Sequence, residues 1–138
     1  MPRILHIEDV AALREMIQCY LELQGFEVTG VGSGEAGIQA LEESEYDGIV
    51  LDHHLPGISG ERVLGWVMVH RPYLVPRVVI TTGGLASPAL EAKLASFTVP
   101  VLNKPFLLEE LLLQLTRMTV PRRARLDSNT GMAAPSGL

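Results

Sequence analysis

The most constraining stretch of this chain spans residues 46–57, with the sequence YDGIVLDHHLPG. Residues 48–51 form a short, continuously apolar run, which is typical of a strand buried on both faces of a sheet. The run ends at Asp52, and Pro56-Gly57 then favours a turn. A carboxylate at the end of an interior strand is costly unless it lies at the rim with a partner. Since parallel α/β sheets bind ligands outside the carboxyl ends of their strands, Asp52 is predicted to be the chemical centre.

The hydrophobic pattern predicts five strands alternating with five helices. The strands are predicted at residues 3–7, 26–31, 48–52, 77–81 and 99–103, and the helices at about 10–24, 33–43, 59–71, 87–95 and 107–118. Ser33 and Ser59 are expected to cap the second and third helices. The first helix is expected to carry one apolar stripe, formed by Leu13, Met16, Ile17 and Tyr20. Such alternation with short loops favours an α/β fold, a flavodoxin-like doubly wound five-stranded parallel sheet. Its strand order would be 2-1-3-4-5, which places the first and third strands side by side. We expect one domain over residues 1–118 and a basic, then low-complexity, disordered tail over residues 119–138.

Composition narrows the class of protein. The 138 residues suit one hydrophobic core, and a single cysteine, Cys19, allows no intrachain disulfide. No apolar run approaches the ~20 residues that span a bilayer, and no signal peptide is evident, so we expect a cytoplasmic protein without a membrane partner. The net charge is −5, and because residues 119–138 carry +2, residues 1–118 carry −7. A body this acidic argues against direct binding of nucleic acid.

Ionisable side chains follow three of the predicted strands. Glu8-Asp9 follow the first, Asp52 ends the third and Lys104 follows the fifth. Since all these strand ends share one rim, the carboxylates should converge and repel each other unless a cation joins them. Oxygen-rich sites of this kind suit Mg²⁺, which binds through one or two carboxylates, waters and phosphate oxygens. The sequence therefore predicts a magnesium site.

The same rim carries groups suited to phosphoryl transfer. Lys104 supplies a positive charge, Thr82 a hydroxyl, and Gly83 and Gly84 backbone N–H groups that could bind the oxygens of a phosphoryl group. The Asp52 carboxylate can act as nucleophile and form an aspartyl phosphate. These residues predict phosphoryl transfer to the protein itself.

Together these residues carry a family resemblance. The motifs are Glu8-Asp9, Asp52 with Leu55-Pro56-Gly57, Thr82-Gly83 and Lys104-Pro105-Phe106. In this order, and at strand ends, they resemble the receiver domain of two-component response regulators over residues 3 to about 118. The likeness is to chemotaxis-regulator-like receivers that stand alone or are attached to hybrid kinases.

The resemblance implies a phosphorelay function. Asp52 would accept a phosphoryl group from a histidine kinase or a histidine phosphotransfer protein, and this would switch a surface that binds a downstream protein effector. The chain would not be an enzyme with a separate substrate, because it would catalyse only its own phosphorylation and dephosphorylation. The predicted tail is too short for a helix-turn-helix domain, so we expect no direct transcriptional control by this chain.

The resemblance also implies roles for individual residues. Mg²⁺ would be held by Asp9, Asp52 and the backbone carbonyl of His54, with Glu8 acting partly through water. Lys104 would contact the phosphoryl group, as would the backbone N–H of Gly83. Thr82 would be the switch hydroxyl, and the Lys104-Pro105 peptide bond would be cis.

Three features depart from the family pattern. Val101 stands where the family usually has a switch aromatic residue, so the switch is expected to run through Thr82 and the fourth predicted helix. That helix is short, and residues 96–100 lack the usual Gly-Ala. His54 and Gly84 occupy the two positions that tune the lifetime of the phosphoryl group in the family, which predicts an altered rate of dephosphorylation.

Alternatives remain open for function and for some residues. The chain could be a phosphorylation-independent interaction scaffold or, as a weaker alternative, a Mg²⁺-dependent phosphohydrolase, although His54 stands where such enzymes carry a second carboxylate. Glu8-Asp9 could simply cap a helix, His6 could be a satisfied core histidine, and Cys19 a small buried residue. Leu113 lies off the core stripe of the fifth helix. It is either a solitary surface leucine or part of a homodimer or partner surface on the fourth helix, fifth strand and fifth helix.

Overall fold

The structure, a computed structural model, describes residues 1–83 and 99–119. Its strands are β1 (Arg3–Ile7), β2 (Glu27–Val31), β3 (Gly48–Asp52), β4 (Val78–Thr82) and β5 (Val101–Asn103). Within these residues the helices are α1 (Ala11–Leu23), α2 (Gly34–Glu43), α3 (Gly60–His70), a 3-10 helix (Pro72–Arg77) and the C-terminal helix (Leu108–Met118). The fourth predicted helix and residues 120–138 lie outside the described part of the chain.

The five strands form one parallel sheet in the order β2-β1-β3-β4-β5, which confirms the predicted flavodoxin-like fold. β1 and β3 are neighbours, and Ile7 of β1 pairs with Leu51 of β3. Asp52, one residue further along β3, pairs with Thr81 of β4. The ends of β1 and β3 therefore meet at the centre of one rim.

The sheet is covered on both faces, as its apolar strands predict. One core cluster joins the strands to α2 and α3 through Leu41, Val63, Leu64 and Val67. The other joins them to α1 and the C-terminal helix through Ile17, Leu21, Leu111 and Leu115. Val50 and Leu102 belong to this second cluster, and residues two positions apart on a strand share a face. Asp52 and Lys104 therefore leave the sheet on the side of α1.

Short polar residues begin two of the helices as predicted. The Ser33 hydroxyl accepts a hydrogen bond from the Ala36 N–H at 3.1 Å, and the Ser59 hydroxyl accepts one from the Arg62 N–H at 3.2 Å. Each bond satisfies an amide that has no partner within its own helix. After α1, Gly25 has a φ of 97°, the left-handed conformation in which helices commonly end.

The structure also corrects several expectations. A 3-10 helix occupies Pro72–Arg77, so β4 begins at Val78 instead of at residue 77. Met16 is 49% exposed because Leu21, rather than Met16, completes the buried stripe of α1. Cys19 is exposed, which contradicts its predicted burial.

Leu113 is 50% exposed, as expected of a residue off the core stripe. No helix in the described part of the chain is long and apolar enough to cross a membrane.

Candidate functional site

The three predicted acidic residues meet at the rim above β1 and β3. One carboxylate oxygen from each of Glu8, Asp9 and Asp52 lies within 4.8 Å of the others. Glu8 and Asp52 are only 1% and 2% exposed, whereas Asp9 is exposed. Two of the carboxylates are therefore shielded from water, and the third faces it.

Lys104 joins the two buried carboxylates. Its Nζ lies 2.9 Å from Glu8 Oε1 and 3.4 Å from Asp52 Oδ2. The lysine side chain is 24% exposed, so its ammonium sits at the edge of the site rather than in bulk water. The adjoining Lys104-Pro105 peptide bond is cis, as the resemblance implied. The Lys104 ammonium thus bridges the two buried carboxylates.

Backbone amides fix the remaining oxygens of the buried pair. The Val10 N–H donates to Glu8 Oε2 at 3.1 Å, and the His54 N–H donates to Asp52 Oδ1 at 3.2 Å. Both donors lie in the loops that follow β1 and β3, within three residues of the strand ends. Hydrogen bonds from uncharged amides stabilise a carboxylate but leave its negative charge in place.

The surroundings of Asp52 and Lys104 shift the pKa values of both side chains. Burial and the nearby charge of Glu8 raise the pKa of Asp52 from 3.8 to about 6, although Lys104 and the His54 N–H oppose this rise. Burial acts to lower the pKa of Lys104, but its hydrogen bond to Glu8 and the charge of Asp52 outweigh it and raise the pKa. The site thus holds more negative charge than Lys104 alone compensates.

This arrangement fits a small divalent cation. The donors are carboxylate oxygens, the ligands that Mg²⁺ prefers, and their mutual distances are short enough for one ion to bind more than one of them. The raised pKa of Asp52 shows that added positive charge would stabilise its ionised form. Glu8, Asp9 and Asp52 could therefore hold a metal ion.

The other predicted site residues also lie at this rim. Thr82 is the last residue of β4, is 1% exposed, and its carbonyl oxygen accepts a hydrogen bond from the Lys104 N–H at 2.7 Å. Gly83 follows it, and a Cβ at Gly83 would lie 3.9 Å from Lys104 Cδ. Val101 opens β5 and packs, partly buried, against the core cluster on the α2 and α3 side. The role of Gly84 falls outside the described residues.

Two residues with structural roles at the site escaped the sequence interpretation. Arg14 Nη1 donates to the Glu8 carbonyl oxygen at 2.7 Å. Gly60 begins α3 so close to β3 that a Cβ there would overlap the Asp52 carbonyl oxygen. The sequence offers two signals for these residues, an arginine five residues after an acidic pair and a glycine one residue after a helix-capping serine. Neither signal specifies a contact.

The histidines differ in part from expectation. His6 is buried as predicted, but its Nδ1 has no hydrogen-bond partner among the described residues, so it is not satisfied. Burial, with the charges of Arg14 and Lys104, lowers the pKa of His6 to about 4, which keeps the ring neutral. His53 and His54 have ring centroids 4.6 Å apart, and His54 is exposed, two residues after Asp52.

Comparison with known families identifies the class of protein. Residues 4–116 match the model of the response regulator receiver domain, and the chain belongs to this family. Receiver domains act in two-component signalling, and this fold and acidic rim agree with that assignment.

Curated relatives include both regulators and a sensor. The chain is 33% identical over 129 residues to the transcriptional activator protein PfeR of Pseudomonas aeruginosa, covering 91% of this chain and 40% of PfeR. It is 33% identical to the response regulator protein FleR of the same species, over 75% of this chain and 22% of FleR. It is also 29% identical to the sensor protein GacS of Pseudomonas syringae pv. syringae, over 62% of this chain and 10% of GacS. The chain thus spans less than half the length of each.

Solved structures share the fold. The response regulator protein TrrA from Thermotoga maritima, in complex with Mg²⁺-BeF, superposes with a TM-score of 0.73 at 26% identity, covering 86% of this chain and 99% of TrrA. A response regulator receiver domain protein from Clostridium thermocellum gives a TM-score of 0.76 at 25% identity, covering 91% and 98% of the two chains.

Proposed function

We propose that this receiver is phosphorylated on Asp52 by a phosphohistidine donor, either a histidine kinase or a histidine phosphotransfer protein. The observation that carries the proposal is the Asp52 carboxylate, buried at the sheet rim beside two further carboxylates and 3.4 Å from the Lys104 ammonium. A purely structural ion pair with Lys104 would not need the further carboxylates of Glu8 and Asp9, because gathering excess like charge is unfavourable.

In the proposed reaction an Asp52 carboxylate oxygen attacks phosphorus as the bond from phosphorus to the donor imidazole nitrogen breaks. The imidazole keeps the electron pair of that bond, and the aspartate becomes an acyl phosphate. Lys104, placed to reach Asp52 Oδ2, would lie against the phosphoryl oxygens, and the Gly83 N–H would supply a further donor. Catalysis of this kind depends mainly on positioning and electrostatic stabilisation.

We further propose Mg²⁺ as the cation of the site. Glu8, Asp9 and Asp52 would hold it, with the His54 backbone carbonyl as an additional ligand and Glu8 acting partly through water. When bound, the ion would neutralise charge on the carboxylates and on the incoming phosphoryl oxygens. The related TrrA was solved with Mg²⁺-BeF, which supports this choice of metal.

The output of the proposed reaction is a change in a protein-binding surface. Thr82, at the end of β4, is the proposed switch hydroxyl, and Val101 removes the aromatic side chain that usually accompanies it. Leu107 and Leu113 of the C-terminal helix region are 66% and 50% exposed, so this region offers apolar area to an effector or a second copy. We propose residues 1–118 as the folded receiver and catalysis confined to its own phosphorylation and dephosphorylation.

A mass-spectrometric experiment tests the acceptor. The protein is incubated with acetyl phosphate with and without Mg²⁺, and the intact mass is compared for wild type, Asp52→Asn and Asp47→Asn. Asp47 is a matched control, because it precedes β3 at the end of the strand opposite to the rim and accepts a hydrogen bond from the Arg3 N–H at 2.8 Å. We expect a Mg²⁺-dependent adduct of one phosphoryl group in wild type and Asp47→Asn only. A comparable adduct in Asp52→Asn would reject the proposal.

A further inference from the structure

Arg14, which lies in α1, holds the backbone of the loop that carries Glu8 and Asp9. Its Nη1 donates to the Glu8 carbonyl oxygen at 2.7 Å, and the Glu8 N–H in turn donates to the Val31 carbonyl oxygen at 3.0 Å. Both backbone groups of Glu8 are therefore fixed, one by α1 and the other by β2. The Glu8 carbonyl belongs to the peptide group that leads directly to Asp9, so the Arg14 bond sets the orientation of that peptide plane.

Two glycines, Gly30 in β2 and Gly32 just after it, make room for this arginine. A Cβ at Gly30 would lie 3.2 Å from Arg14 Cγ and 3.3 Å from its Cδ, and a Cβ at Gly32 would lie 3.2 Å from Nη1. Such distances are a few tenths of an ångström shorter than ordinary contacts, so a side chain at either position would require the arginine to shift by that amount. The absence of side chains at both positions lets the Arg14 stem lie along the end of β2 and reach Glu8.

We propose that Arg14 is a positioning residue for the metal site, which fixes the peptide between Glu8 and Asp9 so that both carboxylates face one ion. The inference rests on the proposed function and adds to it a residue that touches neither metal nor phosphoryl group. Asp9 depends most on this bond, because it is exposed while Glu8 is also held by Lys104 and Val10. Partners that orient metal ligands typically change metal affinity by about 10- to 100-fold.

The two possible effects of Arg14, orientation of the loop and positive charge, predict opposite changes in Mg²⁺ affinity when the arginine is removed. The guanidinium is a positive charge close to a cation site. If Coulomb repulsion were the only effect, removing the guanidinium would tighten Mg²⁺ binding. If orientation of the loop dominates, its removal loosens binding instead. Gly32→Ala separates the two effects further, because its Cβ, 3.2 Å from Nη1, would shift the guanidinium by a few tenths of an ångström while leaving the arginine and its charge in the protein.

The test measures the Mg²⁺ dissociation constant by calorimetry, and independently the Mg²⁺-dependent rise in the thermal unfolding midpoint. The variants are Arg14→Met, Arg14→Lys, Gly32→Ala and the double variant Arg14→Met with Gly32→Ala. Arg117→Met is the matched control, because Arg117 is an exposed arginine in the last turn of the C-terminal helix. Unfolding in EDTA is recorded for every variant, so that loss of fold is separated from loss of affinity.

We expect Arg14→Met to weaken Mg²⁺ binding by about tenfold and Gly32→Ala to weaken it by less, with no further loss in the double variant relative to Arg14→Met, since both act on one contact. Arg14→Lys should fall between wild type and Arg14→Met, and Arg117→Met should match wild type. Unchanged or tighter Mg²⁺ binding in Arg14→Met would overturn the positioning role while leaving the proposed function intact. Absence of Mg²⁺ binding in wild type would instead overturn the proposed function.

Discussion

Asp52→Asn should make the metal-free protein more stable at neutral pH, although it removes the proposed acceptor. The folded protein holds the Asp52 carboxylate beside Glu8 at 2% exposure, and the pKa of the carboxyl is raised from 3.8 to about 6. Each unit of pKa shift corresponds to about 1.4 kcal/mol, so ionising this group costs the folded state up to about 3 kcal/mol. Asparagine keeps the shape and the acceptor for the His54 N–H, and it carries no charge.

The gain should depend on pH in a defined direction. In the unfolded chain Asp52 releases its proton near pH 3.8, whereas the folded protein retains it to about pH 6. Between these values the folded state binds more protons, so the free energy of unfolding of wild type falls as the pH rises. Asparagine has no such dependence. The difference between the two proteins should therefore be near zero below about pH 4 and reach about 1–3 kcal/mol above about pH 7.

Urea denaturation in EDTA across this pH range measures the effect. Saturating Mg²⁺ should then stabilise wild type more than Asp52→Asn and reduce the difference, because the wild-type protein retains all of the proposed ligands. An Asp52→Asn protein that is equally or less stable than wild type at neutral pH in EDTA would refute the reasoning. So would a gain in stability of the same size at every pH.

Three further predictions concern the surroundings of Asp52. Gly60→Ala should destabilise the protein by more than about 2 kcal/mol in urea denaturation, because its Cβ would overlap the Asp52 carbonyl oxygen. Gly65 lies in the same helix with open space around it, so Gly65→Ala should stabilise the protein by up to about 1 kcal/mol. Equal effects of the two substitutions would contradict this reasoning. Lys104→Met should lower the free energy of unfolding in EDTA by about 1–3 kcal/mol, because the buried carboxylates lose their partner. It should tighten Mg²⁺ binding in calorimetry, since a cation that competes with Mg²⁺ for these carboxylates is lost. Weaker Mg²⁺ binding would argue against this competition. His54→Ala should change the lifetime of the phosphoryl group, followed by intact mass over time, and an equal lifetime would exclude a role for this exposed ring.

Local features of the chain were predictable from the sequence. Ser33 and Ser59 were predicted as N-caps, and both accept the expected amide hydrogen bonds, because capping involves residues only three apart. The convergence of Glu8, Asp52 and Lys104 followed from topology, since parallel strands end at a common rim. Each of these inferences needed only sequence neighbours or the strand order.

Features that depend on tertiary packing were not predictable. Gly37 weakens a helix by propensity, yet a Cβ there would overlap Ile7 Cδ1, so the glycine allows α2 to approach the sheet. Met16 fits the helical period of the α1 stripe, yet it is 49% exposed. Cys19 was assigned to the interior from its residue type alone, although it lies two residues from both Ile17 and Leu21 and therefore on the opposite side of α1 from the buried residues. Arg14 pairs with a backbone carbonyl, which no side-chain pattern in the sequence can indicate.

The ion pair between Lys104 and Glu8 joins residues 96 positions apart. During synthesis on a ribosome, the acidic loops of the first and third strands emerge well before the fifth strand delivers their counterion. A nascent chain that lacks this strand would carry mutually repelling carboxylates, with no ammonium to hold them together. The acidic rim therefore gains its ammonium only once β5 has been made and has paired with β4.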